Sequence, residues 1–177
     1  VTADIDPADL LPPVGADGDL LTVVDGAWAA AAPAGEADPA TTSMVHAIRT
    51  SNLSVSASTD TAIPFGTGNA TEVTDTDAYH SMASNTTRFV APFDAAYTIH
   101  AGAELASSAG GVRSIWIKLN GSDDHARVTI GPSNSAADRL VTGVTLDLDE
   151  GDYIEVYVRH NQTGGGALNV VGGSYTY

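Results

Sequence analysis

The sequence predicts an all-β protein built as an antiparallel β-sandwich, and three observations carry that expectation. Short segments alternate apolar and polar residues with period two, the mark of a strand with one buried face. Turn formers separate them at intervals of about 8 to 12 residues, as in a sandwich or barrel. Charged residues are only 16% of the 177, while 18 Gly and 8 Pro punctuate a chain rich in Ser and Thr. No repeat of about 20 to 50 residues points to a solenoid or propeller instead.

Residues 1–42 differ in composition from the remainder of the chain. They hold eight acidic residues and no basic one, an Ala-rich stretch, and five of the eight prolines: Pro7, Pro12, Pro13, Pro33 and Pro39. Pro12-Pro13 imposes extended geometry, and Gly15-Ala-Asp-Gly18 makes a turn. Asp19–Val24 is read as one short strand ended by Asp25-Gly26. This segment is expected to be an extended acidic arm that gains order against a partner, with Leu10, Leu11, Leu20, Leu21 and Trp28 as its anchoring candidates.

Residues 43–177 form the expected sandwich domain. In Arg113–Leu119, Ile115, Ile117 and Leu119 share one face, and Ser114, Trp116 and Lys118 share the other. The same alternation marks Tyr97–Ala103, Ala126–Ile130, Val144–Leu148 and Asp152–His160. Further strands are expected at Ser43–Arg49, Leu53–Ser58, Thr86–Val90 and Ala167–Tyr177, giving about eight to ten in all. Asn120-Gly121, Gly131-Pro132, Glu150-Gly-Asp152 and Gly164–Gly166 supply the turns. Ser135–Arg139 is the single stretch left to a short helix.

Function classes fall away on charge and composition. Seven Lys and Arg against 22 Asp and Glu leave a net charge of −15 and a pI near 4.2, which repels nucleic acid and anionic membranes. Without cysteine there is no disulfide framework, thiol nucleophile or zinc ribbon. The longest apolar run, Ala27–Ala34, includes a proline and is far short of a membrane span; the expectation is a product made in the cytoplasm without a signal peptide.

No chemistry-bearing constellation stands out. His46, His80, His100, His125 and His160 are scattered and lack metal-ligand spacing. A nucleophile elbow is missing, and the acidic groups Asp75-Thr-Asp77, Asp123-Asp124 and Asp147–Asp152 match no calcium loop and read as solvated turns. Neither catalytic residue nor metal nor cofactor is expected. Asn-x-Ser/Thr triplets at Asn52, Asn69, Asn85, Asn120 and Asn161 follow from composition. Trp116, Tyr153 and Tyr157, on the face opposite the aliphatic rows, are expected to point outward or into a subunit interface.

Three segments then carry a resemblance. Phe89-Val-Ala-Pro-Phe93-Asp-Ala-Ala-Tyr97-Thr-Ile99, Leu146-Asp-Leu-Asp-Glu-Gly151-Asp152 with the alternating run to Val158, and Gly172-Gly-Ser-Tyr175-Thr-Tyr177 resemble, in that order, segments of C1q/TNF-like jelly rolls. Ala96 stands where the family carries glycine. The resemblance covers residues 44–177 and implies a jelly roll that trimerises about a threefold axis. Trp116, Tyr153, Tyr157 and Tyr175 are the resulting trimer-interface candidates.

Residues Gly15–Ala30, with Gly15-x-x-Gly18, Leu21-Thr and Gly26-x-Trp28, resemble a segment of bacteriophage tail-fibre and other virion structural proteins. What the two resemblances imply is a non-enzymatic virion protein. The leading expectation is a capsid decoration protein, homotrimeric on the capsid surface, whose arm binds the major capsid protein. The alternative is a tail-fibre or receptor-binding tip that recognises a host surface glycan or protein.

Overall fold

The computed structural model describes residues 20–24, 27–31, 43–133 and 135–173, and the chain divides into two units, Val1–Thr42 and Ser43–Tyr177. In the first unit β1 (Leu20–Val24) and β2 (Ala27–Ala31) pair antiparallel, with Val24 opposite Ala27. The sequence pattern predicts one strand here, with Asp25-Gly26 as its end. A second strand, Ala27–Ala31, instead pairs back on β1, and the weak strand preference of alanine hides it from the sequence pattern. Leu20, Leu21 and Trp28 therefore lie on a hairpin, their side chains outside the described set; Leu10 and Leu11 lie outside the described residues altogether.

The second unit is an antiparallel jelly roll. One sheet has the order β10 (Asp123–Ile130), β9 (Arg113–Leu119), β12 (Tyr153–His160), β5 (Thr61–Ala62), with β7 (Arg88–Val90) also paired to β12. The other has the order β11 (Asp138–Leu148), β8 (Ala95–Leu105), β13 (Leu168–Val170), β4 (Leu53–Val55). From β7 onward every connection carries the chain to the opposite sheet except the β9–β10 hairpin, so two Greek keys wind into one sandwich. β3 (Val45–Arg49) and β6 (Ala70–Asp75) make a separate two-stranded sheet.

Aliphatic alternation explains the core. Ile115 and Ile117 on β9 and Ile154, Val156 and Val158 on β12 point inward to meet Leu140 and Leu148 of the facing sheet, all nearly sealed from solvent. The β9–β10 turn has Asn120 at φ 50° and Gly121 at φ 72°, the paired left-handed residues that an Asn-Gly hairpin requires. Gly172 is set by space: a Cβ there would lie 2.3 Å from the Ser51 carbonyl carbon.

Three expectations need correction. Asp138 and Arg139 open strand β11 and are not helical, because Asp138 is drawn inward to a buried arginine. β5 and β6 are absent from the sequence-based strands, since Thr61–Ala62 is only two residues and Ala70–Asp75 is polar on alternate positions without an aliphatic row. β10 begins at Asp123 and changes phase midway: His125 pairs with Ile117 and Val128 with Ile115, so Ala126 and Arg127 together oppose Trp116. That is a β-bulge, and it holds Ala126 at φ 48°.

Alanine in the left-handed region is strained by about 1 kcal/mol or more, whereas glycine is not. Ala126→Gly is therefore expected to raise stability by a few tenths to about 1 kcal/mol, the gain being trimmed by the freer unfolded chain. A lower thermal midpoint in this variant would mean that the Ala126 methyl group contributes packing larger than the strain it carries.

Candidate functional site

Period-two geometry gives each sheet an outer face, and the two faces have opposite chemistry. On the β10–β9–β12–β7 sheet the outer positions carry Ser114, Trp116 and Lys118 beside Arg159, Tyr157, Glu155 and Tyr153. Four of the seven basic residues, Arg88, Lys118, Arg127 and Arg159, lie here. Each ring is topped by a cation: the Arg127 guanidinium is 3.9 Å from the Trp116 centroid, Lys118 Nζ 5.0 Å from Tyr157, and the Arg88 guanidinium 4.0 Å from Tyr153. Trp116 also stacks on Tyr157 at 5.7 Å.

This arrangement corrects the reading of Trp116 as an outward contact residue. Its ring does lie on the outer face, but it is 0% exposed, sealed by Arg127 that the bulge brings over it and by Tyr157 beside it. Tyr153 and Tyr157 are half-buried on the same face, and Tyr175 lies outside the described residues. The aromatic row is thus covered in large part by the chain's own cations.

Carboxylates fix those cations. Asp124 accepts from Arg127 at 2.5 Å and sits 3.3 Å from Lys118 Nζ. Burial pushes its carboxyl up, but these two hydrogen bonds and charges outweigh it and hold the carboxyl below the ordinary value. Glu155 accepts from Thr87 at 2.5 Å and from Tyr157 at 3.4 Å, and Arg159 pairs with Asp60 at 3.2 Å. Burial, then the Glu155 charge, raise the Tyr157 phenol.

At the β7 edge this face runs into a groove of about 330 Å3, lined among others by Tyr79, His80, Ser81, Ser84, Asn85 and Arg88. Its walls are anchored from behind. The Asp75 carboxylate accepts the Tyr79 and His80 amides at 2.9 and 3.0 Å. The His80 ring is fixed by Glu72 at 2.9 Å and the Thr86 carbonyl at 3.3 Å, and stacks on Phe89 at 4.7 Å. Sequence reading misses the groove because its residues gather from a loop without periodicity, and the Asn85-Thr-Thr triplet at its centre reads as a product of composition.

The outer face of the β11–β8–β13–β4 sheet is different. Along the unbroken eleven-residue β8–β11 ladder, Thr98 faces Thr145, His100 faces Gly143 and Gly102 faces Val141. None of these side chains is an Asp, Glu, Lys or Arg, and Val141 is 57% exposed. Charge returns only at the ends, with the Glu104–Arg139 pair at one and Asp147 at the other.

His160 and Arg113 are used structurally. His160, fully buried, meets the Val55 carbonyl at 2.8 Å through Nε2 and accepts the Gln162 amide through Nδ1. Arg113 lies beside Asp138 at 3.4 Å and donates to the carbonyls of Ser108, Gly110 and Val112. Among the described residues no group of three or more His, Cys, Asp or Glu is placed to hold a metal ion.

Fold and faces together define a jelly-roll β-sandwich with two chemically distinct outer surfaces. No family model matches the sequence, and no curated protein matches it. Among solved structures, a crystal structure of murine APRIL at pH 5.0 is similar over 73% of this chain and 99% of that chain, at 13% identity and a TM-score of 0.46. The jelly-roll assignment rests on the strand order of the two sheets and the crossings between them.

Proposed function

We propose that this chain is a non-enzymatic structural protein of a bacteriophage virion. It is a capsid decoration protein that forms homotrimers on the capsid surface, with residues 1–42 attaching it to the major capsid protein. The observation that carries self-association is the stretch of the β8–β11 face that holds no Asp, Glu, Lys or Arg. In a chain of charge −15, copies repel one another over most of their surface, and a flat face of Thr98, His100, Gly102, Val141, Gly143 and Thr145 is where two can meet without that cost. The threefold order follows from the jelly-roll resemblance of residues 44–177, and the virion setting from that of Gly15–Ala30.

A non-enzymatic role is supported by how two buried polar groups are used: His160 bonds to the Val55 carbonyl and the Gln162 amide, and Arg113 to the carbonyls of Ser108, Gly110 and Val112, contacts that hold loops in place. The test is solution mass by light scattering. Three copies of an 18.0 kDa chain give about 54 kDa, and Val141→Lys, a charge placed mid-face, is expected to return the protein to monomers. A monomeric parent chain, or a variant as trimeric as the parent, would remove this face from assembly.

Deleting residues 1–39 is expected to leave the mass trimeric in the 40–177 chain while abolishing attachment to purified shells. Attachment that survives the deletion places the contact on the jelly roll. The second reading, a receptor-binding tip, is favoured by the groove and the cation-topped aromatic face; binding to cells but not to shells would decide for it.

A further inference from the structure

We infer that the groove beside β7 is a binding site for an acidic saccharide, with Arg88 receiving the carboxylate of a uronic-acid ring. This does not depend on trimerisation or on virion location, because one copy of the jelly roll carries the whole groove.

Electrostatics select the place. The net charge of −15 excludes anions from most of the surface, and the four cations of the outer β10–β9–β12–β7 face are the exception. Among these, Arg88 has the most unspent capacity. Lys118, Arg127 and Arg159 sit within 3.3 Å of a carboxylate, whereas Arg88 approaches Glu155 only through Nε at 3.9 Å. Glu155 is satisfied elsewhere by Thr87 and Tyr157. The guanidinium lies over the Tyr153 ring, its carbon 4.0 Å from the centroid, and its two terminal nitrogens donate no hydrogen bond to the described residues. A planar, pre-oriented fork of this kind fits a carboxylate through two parallel bonds.

The groove supplies what a sugar needs besides the charge. Ser81 and Ser84, bonded to each other at 3.2 Å, and Asn85 offer hydroxyl and amide groups. Ala78 and Val90, both exposed, give an apolar strip for the C–H face of a pyranose. The volume of about 330 Å3 is at the lower end of small-molecule sites. Anchoring by Asp75, Glu72 and Phe89 keeps the walls in place before the ligand arrives, which lowers the ordering cost of binding. A single negative charge is favoured over a doubly charged phosphate because Glu155 lies 3.9 Å from Arg88.

The test titrates the full chain with oligogalacturonate, with its methyl ester, which keeps the sugar and removes the charge, and with poly-L-glutamate. Binding is followed by calorimetry and by amide chemical shifts. Oligogalacturonate is expected to move the amides of Ser81, Ser84 and Asn85, with the ester at least about tenfold weaker. Arg88→Gln is expected to lose binding to the same extent, and Arg159→Gln, whose cation has its own partner in Asp60, to keep it. Should Arg88→Gln fail to fold, Ser84→Leu, which fills the groove without touching Glu155, is expected to weaken binding equally. The inference is overturned by no binding at millimolar sugar, by ester and acid binding alike, by shifts mapping elsewhere, or by Ser84→Leu binding normally. Poly-L-glutamate binding the same residues as tightly would overturn the saccharide in favour of an acidic peptide.

Discussion

Arg113→Met is expected to destabilise the jelly roll by about 3 to 5 kcal/mol, the cost of leaving one partner of a buried ion pair uncompensated. Arg113 is fully buried on β9 and Asp138 nearly so on β11, so the pair bridges the two sheets. The same guanidinium ties down the loop before β9 through the carbonyls of Ser108, Gly110 and Val112. Removing it leaves the buried Asp138 carboxylate with the Ser133 amide but no counter-charge, and frees three part-buried loop carbonyls at once. For a domain whose net stability is about 5 to 15 kcal/mol this is a large share. The check is urea denaturation of the single variant beside Arg113→Met/Asp138→Leu, which is expected to recover much of the loss because no charge remains buried. A double variant no more stable than the single one would show that the loop carbonyls, and not the carboxylate, dominate.

Trp116→Ala is expected to cost about 3 to 5 kcal/mol of folding stability, as large aromatic truncations in packed sites do. Sequence alternation alone places this ring in a contact between subunits, where its loss would weaken association. With the ring sealed by Arg127 and Tyr157 of its own chain, the loss falls on the fold of each copy. The two outcomes separate by concentration: an intramolecular loss shifts the denaturation midpoint equally at low and high protein, whereas a lost association shifts it with concentration. Unchanged unfolding together with a reduced solution mass would return Trp116 to an interface.

The sandwich is legible where alternation runs clean. Ile115-Trp-Ile117-Lys-Leu119 and Ile154-Glu-Val156-Tyr-Val158 declare their inner and outer faces in sequence, and the structure places them so. The β13 pairing of Leu168–Val170 with β4 is visible only as a weak pattern, because three-residue strands hold too few alternations. Arg113 goes unread for a different reason. It occupies the same inward phase as Ile115, and only contact with Asp138, 25 residues on, makes an inward arginine tolerable. The groove is the least legible, since Ser81, Ser84, Asn85 and Arg88 become a site only when the loop is folded back by Asp75 and Glu72.

The bulge at Ala126–Arg127 has a consequence for what this molecule does in a crowded solution. β10 is the outermost strand of its sheet, and a straight, regular outer strand would offer its free backbone groups to the matching strand of any neighbour. Two residues set against one break that repeat, and the Ala126 carbonyl is occupied by the Thr142 hydroxyl. A second molecule laid alongside finds a ladder whose rungs fall out of step after His125. Fibre growth along this border is thereby interrupted within one copy.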